Sequence, residues 1–239
     1  MAVFAASGLA ALLGVCSTPV NACGVSAAGV PFCSLTEHDE AERPKWAVGV
    51  SGLYTSTALQ LSDSLRAAQI RYATLATLAY LPSPRLILQA GAGATLGGSL
   101  TLPDGQHDFS PGPTADIGAD WRVFDNRRTF VLLTSALSFS AARTHLGDQG
   151  SVGYQAFDLR LGGQLGVDIA HIFQPYVVVR AFGGPVYWDY MGKAVTGTDA
   201  HHYQVGAGAG LRLSKIVNLF VEGIPLGERA VSLGASVAI

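Results

Sequence analysis

Residues 154–170, YQAFDLRLGGQLGVDIA, alternate between apolar and polar. Phe157, Leu159, Leu161, Leu165, Val167 and Ile169 fall on one side, with Asp158, Arg160, Gly162, Gln164, Gly166 and Asp168 between them. A strand turns successive side chains to opposite faces, so a period of two is a strand signature. The run outlasts the usual globular strand of about 5–6 residues. Its polar face carries charges of both signs. A strand that crosses a membrane inside a barrel needs about 9–11 residues, apolar toward lipid and polar toward the lumen. Residues 154–170 have that form, and similar stretches recur along the chain.

The composition agrees. Of 239 residues, enough for one domain, 49% are hydrophobic and 13% charged, and the mean hydropathy is +0.33. So apolar a chain suggests transmembrane helices, but the longest uncharged apolar stretch, residues 2–15, is too short to span as one. Apolar content without apolar runs is what an alternating barrel predicts. The 29 glycines are spread through the strands and do not gather in a linker. A net charge of −2 gives no reason to expect a nucleic-acid partner.

Residues 1–22 read as a secretory signal, with residues 2–15 as its apolar core and Val20-Asn21-Ala22 at the cleavage positions. Cys16 leaves with the signal. Cys23 and Cys33 remain, and two cysteines in an exported chain suggest a disulfide that closes ACGVSAAGVPFC. Lipidation of Cys23 and free thiols are the competing assignments. Residues 23–44 then form a periplasmic lead-in, and residues 45–239 the barrel.

Ten strands are expected. They span about 45–57, 66–81, 85–98, 114–124, 129–141, 154–170, 175–188, 203–214, 219–224 and 229–239. Pro82–Pro84, Asp125–Arg128, His171–Gln174 and Lys215–Asn218 make short turns, and residues 99–113, 142–153 and 189–202 make longer loops. Short periplasmic turns and longer outer loops are the asymmetry of a membrane barrel. Eight strands is the alternative, because the ninth is short and the fifth, with Val131, Leu132 and Leu133 in a row, alternates poorly. A spanning sheet must close, since lipid offers no partner to an edge N–H or C=O. The expected fold is therefore all-β: a closed antiparallel transmembrane up-and-down barrel. A soluble barrel also alternates, but it needs a charged exterior that this chain does not supply.

The whole pattern resembles the small outer-membrane β-barrel proteins of Gram-negative bacteria, over about residues 45–239. The last strand, AVSLGASVAI, looks like that group's assembly signal, with Val231, Leu233, Ala235, Val237 and Ile239 on one face. The resemblance implies a place in the bacterial outer membrane, contact with its lipid, and handling by the barrel-assembly machinery through this strand. Such barrels include anchors, pores, adhesins and a few hydrolases, so the fold does not choose among them.

The chemistry-bearing residues are few. His38 and His171 read as solvated, and His107, His145, His201 and His202 fall in or beside outer loops. They form no metal-ligand pattern, and no cofactor motif is present. Outer-membrane lipases carry His-x-Ser, which does not occur here. Omptin-like proteases carry an Asp-x-His pair at the outer rim, and Asp199-Ala200-His201 matches it. The aspartate pair that should oppose it is missing, because Asp104 and Asp108 are spaced differently. Loops 99–113 and 189–202 are not adjacent in strand order and are not expected to meet. The stronger constellation is inward: Arg71, Asp116, Asp120, Arg122, Asp158, Arg160, Asp168, Arg180, Arg212 and Glu222 all fall on polar faces. A narrow lumen has little room for water, so these charges should pair. The expectation is a non-enzymatic barrel with a salt-bridged lumen and a structural or surface-interaction role. A narrow pore is the alternative and a rim protease the third reading. The loop ligands are not specified by the sequence.

Overall fold

The computed structural model describes residues 23–25, 31–33, 45–61, 65–126, 128–146, 150–190 and 192–239. The expected signal at 1–22 and most of the expected lead-in, with His38, lie outside the described residues. Strands β1 (Cys23–Val25) and β2 (Pro31–Cys33) form a small hairpin. The rest is one antiparallel sheet. Its first half holds β3 (Trp46–Gln60), β4 (Arg66–Ser83), β5 (Leu86–Leu102), β6 (Gly105–Phe109), β7 (Gly112–Asp125) and β8 (Thr129–His145). Its second half holds β9 (Val152–Val167), β10 (Phe173–Gly183), β11 (Val186–Tyr190), β12 (Lys193–Asp199), β13 (Tyr203–Arg212), β14 (Val217–Gly227) and β15 (Arg229–Ala238).

Ten of these strands close a ring, in the order β3-β4-β5-β7-β8-β9-β10-β13-β14-β15 and back to β3. Large apolar side chains stand on its outer face: Val50 is 56% exposed, Ile117 59%, Leu161 54% and Leu233 61%. Aromatic residues border this band. Trp46 packs on Tyr80 at 4.5 Å beside the short turns, and Tyr54 on Tyr72 at 5.4 Å toward the other end. Trp121 and Tyr203 are also outward. Interfacial aromatics around an apolar band mark a lipid-facing surface.

The strands are longer than the membrane needs. The 18 residues of β4 span roughly 60 Å at ~3.3 Å each. After a tilt of about 45° that leaves roughly 40 Å along the normal, against a hydrocarbon core of ~30 Å. The excess lies at the outer end, where the expectation of loops is corrected. Residues 99–102 extend β5, 105–109 form β6, 142–145 extend β8, 152–153 open β9, and 193–199 form β12.

Here the strand number changes. The β14–β15 hairpin is short and turns at Gly227, whose φ is +82°. A Cβ at that glycine would lie 1.8 Å from the Tyr203 carbonyl oxygen, so only glycine fits. Strand β12 passes above this hairpin and pairs with β3, with Thr198 opposite Gln60 and Asp199 opposite Leu59. A second ring, β3-β4-β5-β6-β8-β9-β11-β12, therefore closes over the first. The barrel has ten strands in the bilayer and an eight-stranded collar above it.

The polarity inverts in the collar. Leu59, Leu61, Leu100, Leu102, Phe109, Tyr154, Val186 and Trp188 turn inward and are buried together. Gln106, Asp108, Arg143, Gln155 and Asp189 face out. Water, not lipid, surrounds this level, so the apolar residues go inside.

The lumen of the lower ring is filled by pairing large inward side chains with inward glycines on neighbouring strands. A Cβ would lie 2.3 Å from the Phe130 ring at Gly166, 2.3 Å from the Tyr176 hydroxyl at Gly208, 2.6 Å from Arg180 Cγ at Gly162 and 2.4 Å from Phe220 at Gly234. The dispersed glycines make room for a packed interior.

Candidate functional site

The interior charges sit in layers. Strand β10 turns Arg180 inward, 3% exposed, and β14 brings Glu222, 5% exposed, across the intervening Gly208. Arg180 donates from Nη1 to Glu222 Oε1 at 2.6 Å and from Nη2 to Oε2 at 2.9 Å, and the Tyr176 hydroxyl donates to Oε2 at 3.1 Å. The pair is bidentate and the carboxylate has a third donor, which offsets part of the cost of burying the two charges. Phe130, Leu132, Val178, Phe220 and Ile224 pack around it.

Nearer the collar, Arg160 bonds Asp158 and reaches Glu228 Oε2 at 3.2 Å, while Gln204 donates to the same oxygen at 2.8 Å. Glu228 was missed by sequence reasoning, which placed it in the last turn. It is 3% exposed and points into the lumen. Arg71 donates to Ser140 Oγ at 2.7 Å. At the turn end, Arg122 pairs with Asp125 at 2.8 Å, and Asp168 accepts from the His171 amide and from Gln174 Nε2, each at 2.8 Å. Asp116 and Asp120 are inward, 7% and 1% exposed, and Arg212 is partly buried. Between these layers lies a cavity of about 80 Å³, lined by Arg71, Asp116, Arg160, Arg180 and Glu222 among hydroxyl residues. That is room for a few waters.

The outer mouth forms a second site. Three hairpins converge there, and the expectation that 99–113 and 189–202 stay apart is corrected. The Tyr190 hydroxyl donates to Asp104 Oδ2 at 2.8 Å. The eight-stranded collar is narrow enough to bring them together. His107 Nε2 lies 3.4 Å from the same oxygen, and Trp188 donates from Nε1 to Thr144 Oγ1 at 2.8 Å. Trp188 stacks on Tyr190 with centroids 4.7 Å apart, and His107 meets Trp188 edge-on at 5.1 Å. Burial alone would raise Asp104, but hydrogen bonds from Tyr190, its own backbone and His107, with the charge of His107, hold it below its usual range. Burial and then the Asp104 carboxylate push Tyr190 up. These groups enclose a cleft of about 290 Å³.

The Asp199–His201 pair is not assembled as a base and its orienting carboxylate. Asp199 accepts from the Thr57 hydroxyl at 3.0 Å, and His201 is exposed beside Tyr203 at 6.3 Å. Asp108 accepts from Gln106, and Asp104 serves Tyr190 and His107. Among the described residues, no three His, Cys, Asp or Glu side chains converge to hold a metal.

No protein family matches the sequence, and no curated protein does either. Solved structures resemble the fold. The outer membrane protease OmpT from Escherichia coli is 10% identical, with a TM-score of 0.53 over 86% of this chain and 100% of that one. The β domain of the Bordetella autotransporter BrkA is 14% identical with a TM-score of 0.49, over 82% of this chain and 100% of that one. The translocator domain of the autotransporter NalP from Neisseria meningitidis is 8% identical with a TM-score of 0.49, over 84% and 90%. The chain is an outer-membrane β-barrel. At this identity the likeness is one of fold. The apolar band, the aromatic borders and the closed ring put it in the bacterial outer membrane.

Proposed function

We propose that this outer-membrane barrel is non-enzymatic and non-conducting, and that it serves a structural or surface-interaction role through its collar. The supporting observation is the filled lumen. An apolar plug of Leu59, Leu100, Tyr154 and Trp188 occupies the collar, and beneath it the Arg160 and Arg180 ion-pair layers and the Phe130–Phe220 cluster follow in turn. Ions cross a pore where water or polar groups replace their hydration along the whole path, and an apolar constriction denies them that. The purified protein in a planar bilayer should give no open-channel steps. Discrete, voltage-stable steps would favour the second reading, a narrow pore, which draws support from the polar cavity of about 80 Å³. The third reading, a rim protease, has only Asp199 and His201 to act through; peptide cleavage abolished by His201→Ala would establish it.

We propose also that Cys23 and Cys33 form a disulfide. The register of the β1–β2 hairpin sets these two residues directly opposite, and cross-strand Cα separations of about 4.5–5.5 Å suit the bond. Intact mass of the mature protein before and after reduction should differ by two hydrogens, with no lipid mass on Cys23.

A further inference from the structure

At the short-turn end the ten-stranded ring has five junctions: the approach to β3 and the turns β4–β5, β7–β8, β9–β10 and β13–β14. Four of them carry an exposed cation, Lys45, Arg85, Arg128 and Lys215. The fifth carries His171, whose Nδ1 already lies 3.1 Å from Asp168. The turns use three of the four cationic residues through the main chain. The Lys45 and Arg85 carbonyls accept from the Leu81 and Arg122 amides, each at 2.8 Å, and the Arg128 carbonyl accepts from the Asp168 amide at 2.7 Å.

Among the described residues, no acidic side chain at this end is left to balance the four cations. Asp125 is held by Arg122 at 2.8 Å, and buried Asp168 accepts from Gln174 and from the His171 amide. The opposite end is mixed: Asp108 and Asp189 stand exposed there together with Arg143 and Lys193. Positive charge without acidic company is a feature of the short-turn end.

The depth of these cations suits a lipid headgroup. Trp46 follows Lys45 and packs on Tyr80 at 4.5 Å. Leu86 follows Arg85 and pairs with the outward Trp121. Exposed Phe124 lies near the end of β7, just before the turn with Arg128, and exposed Leu213 and Ile216 flank Lys215. Tryptophan and tyrosine settle at the boundary of hydrocarbon and water. A cation beside them therefore lies among the lipid phosphates. A zwitterionic headgroup brings its own ammonium to its phosphate. An anionic headgroup does not, and gains more from a lysine or arginine.

We propose that Lys45, Arg85, Arg128 and Lys215 form a belt that selects anionic phospholipid, with a headgroup of the phosphatidylglycerol kind, from the leaflet that faces the short turns. The belt is independent of the lumen and of the collar.

The chain carries its own probe. Of its three tryptophans, Trp46 and Trp121 stand exposed at this end, and Trp188 is buried in the collar. The full barrel is folded into mixed vesicles of phosphatidylglycerol and phosphatidylcholine, with one lipid or the other brominated near the headgroup end of its acyl chains. Quenching of tryptophan emission then reads the lipid beside the belt, whichever way the barrel inserts. Phosphatidylglycerol should be enriched about fivefold, the worth of one lysine or arginine near an anionic surface. The enrichment should fade between ~0.1 and ~1 M salt, as the screening length falls from about 10 Å to about 3 Å. The combined variant Lys45→Gln, Arg85→Gln, Arg128→Gln and Lys215→Gln should lose it, whereas Arg143→Gln with Lys193→Gln, at the other end, should keep it. If the combined variant does not fold, the salt series on the native protein decides. Equal quenching by both lipids, enrichment that salt does not reduce, or enrichment kept in the combined variant would overturn the proposal. Equal quenching together with sedimentation on purified peptidoglycan that the combined variant loses would give the belt to the cell wall instead.

Discussion

Ala170 and His171 hold φ of +54° and +59°, the left-handed region, between β9 and β10. Ile172 N–H closes the turn on the Ile169 carbonyl at 3.2 Å. Two successive left-handed residues define the type I′ hairpin turn, which favours Asn-Gly because side chains crowd the carbonyl there. Asp168 compensates by accepting the His171 amide at 2.8 Å and lying 3.1 Å from its ring Nδ1. Ala170 has no such support. Ala170→Gly should therefore stabilise the barrel by about 1 kcal/mol, the left-handed penalty less the added chain entropy of glycine. The urea midpoint in lipid vesicles measures it, and an unchanged or lower midpoint would contradict the strain. At this scale the sequence was a partial guide. It points to ten charges on the polar faces, because each alternates with an apolar neighbour. It hid Glu228, because Pro225 and Gly227 mark a turn and nothing local says which way the carboxylate beside them points.

Among the elements, β10 and β14 do not touch as neighbours, yet Arg180 and Glu222 join them across β13. Removing one partner leaves the other buried and charged. Glu222→Ala should cost about 3–5 kcal/mol, whereas replacing both residues with leucine should cost only about 1–3 kcal/mol, since the surroundings are Phe130, Phe220 and Ile224 and what is lost is the acceptor of the Tyr176 hydroxyl. Urea titration of the two variants separates these outcomes; a single variant as stable as the double would mean the pair is solvated. The elements also show why the outer hairpins were not legible. Leu100, Leu102, His107 and Phe109 do alternate, as do Leu59 and Leu61, but with the apolar side inward. A reading built on apolar residues facing lipid finds the spanning segments and loses the strand once it leaves the lipid. Only pairing between distant segments, such as Thr198 with Gln60, reveals the collar.

At the scale of the whole molecule, every spanning strand has two hydrogen-bonded neighbours, so the ring presents no edge. Detergent has no free strand at which to begin. The native protein should therefore resist sodium dodecyl sulfate at room temperature and change its gel mobility only after boiling. Identical mobility of boiled and unboiled samples would mean that the ring is open or easily entered. Composition made this architecture legible early: high apolar content without an apolar run leaves few alternatives to a barrel. The irregular fifth and short ninth strands both take their places in the ten-stranded ring, and the eight strands of the collar are a different set.

The collar closes with residues no later than Ala200, because β12 and the residue after it reach β3 by themselves. Everything after it, β13 to β15, belongs to the lower ring alone. The last hairpin is thus a gusset, a panel let into the seam of a sleeve to widen it below the cuff. The mouth and the girth of the barrel are tailored independently: a hairpin can be added or lost beneath the overpass of β12 without restitching the cuff that meets the outside world.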